Sequence, residues 1–116
     1  MLKLIWFLKR ADNLTAEQFN KWWVETHAPA IADAQKPYLK KYVINLRLTD
    51  DQLPAKPSDD VDWDGCAELW YDSEVDYRAI YQGQTAPSAI RTDALKHTSR
   101  LARIIVRENQ LKIRNI

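Results

Sequence analysis

The sequence predicts an α+β fold of ferredoxin-like order, β-α-β-β-α-β, with an antiparallel four-stranded sheet carrying its helices on one face. Two observations predict it. Four segments repeat with the two-residue period of a strand, helical segments lie between them, and they occur in that order. The first helix carries a complete start signal. Against a sheet covered on one face only, the first strand is apolar on both faces and the third nearly so, and such strands are normally covered on both sides.

Residues 2–9 form the first strand, with Leu2, Leu4, Trp6 and Leu8 on one face and Ile5 and Phe7 on the other. Ala11-Asp12-Asn13 is a turn. Thr15 is then an N-cap, Gln18 completes a capping box, and Leu14 with Phe19 forms a hydrophobic staple. Phe19, Trp22, Trp23 and Thr26 follow at helical spacing, and His27 falls four residues after Trp23. Pro29 disfavours helical geometry at Ala28, so a break or kink is expected there. Pro29 also suits the start of a short second segment to about residue 35, stopped by Pro37.

Residues 40–48 form the second strand, with Tyr42, Ile44, Leu46 and Leu48 on one face and Lys41, Val43, Asn45 and Arg47 on the other. Residues 49–62 are polar, rich in aspartate and hold two prolines; they read as a long loop. The third strand, 63–71, sets Cys66 and Trp70 opposite Ala67, Leu69 and Tyr71, with Glu68 in its interior. Ser73 caps a helix over 74–82 that carries Tyr77, Ile80 and Tyr81 on one side and ends at Gly83. A further helix covers 87–96. The fourth strand spans 100–107, and 111–113 are expected to extend it. No element is left to cover the second face of the sheet. An apolar face of that size marks an interface, and a homodimer with two sheets packed face to face is the simplest solution.

A chain of 116 residues suits one domain, 1–116. A net charge of +1, with basic and acidic residues interleaved, argues against nucleic acid and anionic membranes as partners. One cysteine, Cys66, excludes an internal disulfide and multi-cysteine metal motifs. It fits a reducing compartment, and with no membrane-length run a cytoplasmic location is expected. Only two glycines, Gly65 and Gly83, leave no phosphate-cradling loop, and no nucleophile-elbow serine occurs. No metal and no cofactor are expected.

His27 is the foremost candidate for chemistry, because an imidazole exchanges a proton near neutrality. A helix-terminal histidine can equally serve the helix end. Tyr42 can donate to a developing enolate oxygen, or be a core tyrosine bonded to backbone. Trp6, Phe19, Trp23 and Trp70 can wall an apolar pocket, although packing is the commoner use of such residues. Among the polar strand residues Asn45, Arg47, Glu68, Arg103 and Arg107, either Arg47 or Arg103 can grip a carboxylate. Ion pairing, for example of Glu68 with an arginine, is the commoner role. His97 reads as a helix-end surface residue, and Cys66 as a small buried hydrophobe.

The segments 3–10 and 14–19, Trp23 through His27-Ala28-Pro29, Lys41-Tyr42-Val43-Ile44-Asn45, 64–71 and 100–103 together resemble the EthD-domain family. The resemblance runs nearly the whole chain in order. It implies a dimeric α+β barrel with a small pocket between sheet and helices. It implies kinship with cofactor-free enzymes such as lactone isomerases and polyketide cyclases or dehydratases. The family's His-Ala-Pro histidine falls on His27 and its strand-two tyrosine on Tyr42; the Glu68 and Trp70 positions also match. The expectation is an isomerase, lyase or cyclase acting on a small carbonyl, lactone or polyketide-like compound. His27 and Tyr42 would be catalytic, with Trp6, Phe19, Trp23, Asn45, Glu68 and Trp70 around the substrate. The alternatives are a non-catalytic binding protein of a degradation pathway and a purely structural dimer.

Overall fold

The structure, a computed structural model, describes residues 1–48, 62–82 and 88–113. In chain order it comprises β1 (Leu2–Arg10), α1 (Ala16–Trp22), a π turn (Trp23–His27), α2 (Ala28–Ala34), β2 (Leu39–Leu46), β3 (Gly65–Tyr71), α3 (Glu74–Tyr81), α4 (Ser88–His97) and β4 (Thr98–Arg107). The sheet has the order β2-β3-β1-β4 and every neighbouring pair is antiparallel. This is the expected ferredoxin-like topology. The expected loop at 49–62 lies, apart from Asp62, outside the described residues, as do Gly83 and Pro87.

β1, apolar on both faces, and β3, nearly so, are the two central strands. One face packs under the helices: Leu4 is paired with Leu69 and Ile105, Trp6 with Ala67 and Arg103. Leu4, Phe19, Trp23 and Tyr71 are fully buried there. Complete burial of a large apolar side chain stabilises by about 1.5–3 kcal/mol. The other face carries Ile5, Phe7, Val43, Cys66, Trp70 and Ile104.

Strand ends follow the availability of partners. The last pair of β2 with β3 is Leu46 with Gly65, so β2 stops at Leu46 and not at residue 48. Leu46 and Leu48 are left exposed. The last pair of β4 with β1 is Arg107 with Leu2, so residues 111–113 do not extend the strand. Beyond that pair β1 offers no further strand residue to bond with.

The first helix starts as its sequence dictates. Thr15 Oγ1 accepts from the Gln18 N–H at 3.1 Å, and the Thr15 N–H donates to Gln18 Oε1 at 2.9 Å. The expected break at Ala28 does not occur. Ala28 has helical angles, φ −61° and ψ −44°, and its N–H donates to the Trp23 carbonyl five residues back. A proline in a continuous α-helix lacks the N–H and collides with the carbonyl four residues earlier. The wider π turn relieves that conflict, and the chain runs into α2 with Pro29 in its first turn.

Gly65 lets this helical segment sit on the sheet. A Cβ there would overlap the Asn45 carbonyl oxygen and lie 2.8 Å from the Trp23 ring. The indole of Trp23 therefore rests over the start of β3 where any larger residue would lift it.

Candidate active site

The π turn decides what His27 touches. Regular helical spacing sets it over Trp23; the extra residue of the π turn sets it over Trp22 instead. The two rings stack with centroids 4.8 Å apart and planes 23° apart. His97 stacks on Trp22 as well, 4.4 Å away and nearly parallel at 2°. Trp22 Nε1 donates to Asp93 Oδ2 at 2.8 Å. His97 Nδ1 lies 2.7 Å from the Asp93 carbonyl oxygen and 3.4 Å from Oδ1 of the same residue. The end of α1 and the last turn of α4 thus bring both histidines of the chain onto one indole. His97 is no bare surface residue.

His27 Nδ1 is buried and has no hydrogen-bond partner. Burial lowers the His27 pKa, the charge of His97 lowers it further, and Asp93 opposes the shift. The ring is neutral at pH 7 and can accept a proton. Among the described residues no group of three or more His, Cys, Asp or Glu side chains could hold a metal ion.

Tyr42 sits on the helix-facing side of β2, paired with Leu69. Burial pushes its phenol far above the usual range, with Trp23 opposing and Tyr81 adding to the shift. Tyr42 keeps its proton at every physiological pH and is a donor, not a base. Trp23 Nε1, turned toward it, is buried without closing a hydrogen bond. Next to Tyr42 is a group of tyrosines that sequence reasoning missed. The Tyr71 hydroxyl donates to Gln35 Oε1 at 2.6 Å and lies 3.3 Å from the Tyr81 hydroxyl. Tyr77 and Tyr81 face each other at 4.7 Å. Tyr42 and His27 have no partner in common among the described residues.

The expected substrate residues divide between the two faces of the sheet. Trp6, Phe19, Trp23 and Tyr42 are on the helix side, where Phe19 and Trp23 are wholly enclosed by core. Asn45, Glu68 and Trp70 are on the opposite face. There Glu68 is bound by Lys3 and accepts from Asn45 Nδ2 at 2.9 Å. Lys3 first, then Asn45, hold its carboxyl below the usual range. The Trp70 ring lies between the ammonium groups of Lys3 and Lys41, each 4.6 Å from its centroid, and its Nε1 donates to Glu108 at 2.6 Å. Glu68 thus pairs with a lysine, and not with an arginine. An open cleft of about 750 Å³ lies between α3 and β4, lined by Tyr77, Tyr81 and Arg103 among others. Of the polar strand residues weighed from the sequence, Arg103 and Arg107 line it; His27, Tyr42 and the expected substrate residues do not.

The missed residues left uneven traces. Asp93 and His97 are four apart on one helix, a carboxylate–imidazole pair visible in sequence. Their meeting with Trp22, 71 residues from Asp93, is not.

The sequence profile of the EthD domain matches residues 11–99. The chain belongs to the EthD-domain family. The match spans this EthD domain from the turn after β1 to the first residues of β4, and so includes His27, Tyr42, Asp93 and His97. An EthD family protein from Bacillus halodurans superposes with a TM-score of 0.70 at 20% identity, covering 94% of this chain and 99% of that one. Hydroxynitrile lyase from Passiflora edulis gives 0.67 at 11% identity, with 97% and 96% covered. SnoaB, a cofactor-independent oxygenase from Streptomyces nogalater, gives 0.63 at 11%, with 95% and 94% covered. At these identities the likeness is one of fold. No curated protein matches the EthD domain described here.

Proposed function

We propose that this EthD domain is a cofactor-free enzyme of isomerase, lyase or cyclase type. It moves a proton on a small carbonyl, lactone or polyketide-like compound, with His27 as general acid and base. The observation that carries this is the His27 imidazole, whose buried Nδ1 has no partner and whose pKa is lowered by burial. A neutral ring with a free nitrogen, held flat against Trp22, has the properties of a poised base. Support of a coarser kind comes from structural relatives that include a hydroxynitrile lyase and a cofactor-independent oxygenase. Tyr42, locked in its protonated form, suits the polarising of a substrate oxygen. Residues 1–116 act as one domain in a cytoplasmic homodimer.

The test is a panel of small carbonyl and lactone compounds offered to the wild type and to His27→Ala. The variant should fold and lose turnover by at least about a hundredfold. Undiminished turnover in that variant removes His27 from the chemistry.

A second reading, a non-catalytic accessory protein that binds a small molecule, draws on the cleft. That cleft is lined by none of the residues expected to do chemistry. Binding that survives alanine at both His27 and Tyr42, with no product by mass spectrometry, would select it.

A further inference from the structure

The cleft between α3 and β4 has a chemistry of its own. Its lining contributes three arginines, Arg78, Arg103 and Arg107, and one carboxylate, Glu74. That carboxylate is already engaged by Arg78, one helical turn along α3. Among the described residues neither Arg103 nor Arg107 forms an ion pair. Arg107 is close enough to Glu74 to help hold that carboxyl below its usual range, after Arg78, so Arg103 is the guanidinium of the cleft left without a carboxylate among the described residues.

Arg103 is also held in place, unlike an ordinary surface arginine. Its Nη1 donates to the Tyr77 hydroxyl at 2.7 Å, and its guanidinium lies 5.8 Å from the ring centroids of both Trp6 and Tyr81. A guanidinium has five N–H donors, so one bond to Tyr77 leaves most of them unspent. Tyr77 uses its oxygen to accept from Arg103, and its own O–H proton has no acceptor among the described residues. Two kinds of donor thus converge on one point. Around that point the walls are apolar and aromatic: Tyr77, Tyr81, Leu2 and Ile105.

We propose that this cleft binds a small aromatic carboxylate, with Arg103 and the Tyr77 hydroxyl gripping the carboxylate. A planar guanidinium matches a carboxylate in two parallel bonds, and the tyrosine rings offer a flat surface to an aromatic body. A bare phosphate would leave that apolar wall unused. Arg107 is four residues further along the strand, about 13 Å at strand spacing. It adds positive potential without sharing the grip. The site is independent of the reading of His27, since none of its lining residues touches that ring.

Calorimetric titration with benzoate and phenylacetate, against the neutral amides of both, tests the proposal on the full chain. Wild type should bind the acids at least tenfold more tightly than the amides, and salt should weaken the acids alone. Arg103→Gln should lose at least tenfold for the acids and nothing for the amides. Tyr77→Phe, which keeps the ring and removes the hydroxyl, should lose several-fold. His27→Ala should bind as the wild type does, so failure of the catalytic reading leaves this one standing. Equal affinity for acids and amides, unchanged binding in folded Arg103→Gln, or no binding of either acid at millimolar concentration would overturn it.

Discussion

His27 is neutral in the fold because burial lowers its pKa, an effect that nearby Asp93 opposes without reversing. In the unfolded chain the same residue titrates near 6.5. Its folded pKa is the lower one, so the unfolded state binds more protons between the two values. The sign follows: the contribution of His27 to stability is full above about pH 6.5 and is lost as pH falls through the lowered folded value. Urea midpoints measured from pH 8 down to pH 5 should fall less steeply in His27→Phe than in the wild type. Identical slopes would mean that the ring is not buried in solution. The sequence made His27 legible as a candidate but gave the wrong ring beneath it. Its neighbour depends on how the backbone winds between Trp22 and Pro29, and no periodicity records that.

Elements announce their starts more clearly than their irregularities. The capping box at Thr15 and Gln18 is local, three residues apart, and forms as its sequence dictates. The π turn is a compromise between Pro29 and the carbonyl of Glu25, and becomes visible only in three dimensions. The contact between this segment and β3 rests on Gly65. Gly65→Ala would press a methyl group onto the Asn45 carbonyl and the Trp23 ring. Overpacking of this kind costs about 1–3 kcal/mol, and the backbone oxygen cannot rotate away, so the upper end is expected. Chemical denaturation should show it as a lower midpoint with unchanged slope. A neutral outcome would mean that Trp23 does not lie on the sheet as described.

For the whole molecule, the ferredoxin-like order of elements was legible because each strand and helix carries its period in its own residues. β1, apolar on both faces, and β3, nearly so, are the central strands, with β2 and β4 at the edges. What could not be read was which polar strand residues belong together. Glu68 and Asn45 meet across the β2–β3 register with Lys3 from β1, far from His27. The face they share also exposes apolar surface, with Ile104 at 51%. Pairing of two such faces predicts a dimer at micromolar concentration by sedimentation. Ile104→Lys, at the centre of β4 on that face, should shift the population to monomer without unfolding it. A wild-type monomer under the same conditions would contradict the pairing.

The extra residue in the π turn has a consequence for comparing sequences. A relative with one residue fewer between this tryptophan and this histidine would have them four apart, at the spacing of a plain α-helix. The imidazole would still lie over the same indole, while a following proline would again face the carbonyl that the wider turn avoids. A one-residue gap at this point is therefore silent for the position of the histidine. A gap anywhere in α1 upstream of Trp22 is not, because it would rotate the whole aromatic face.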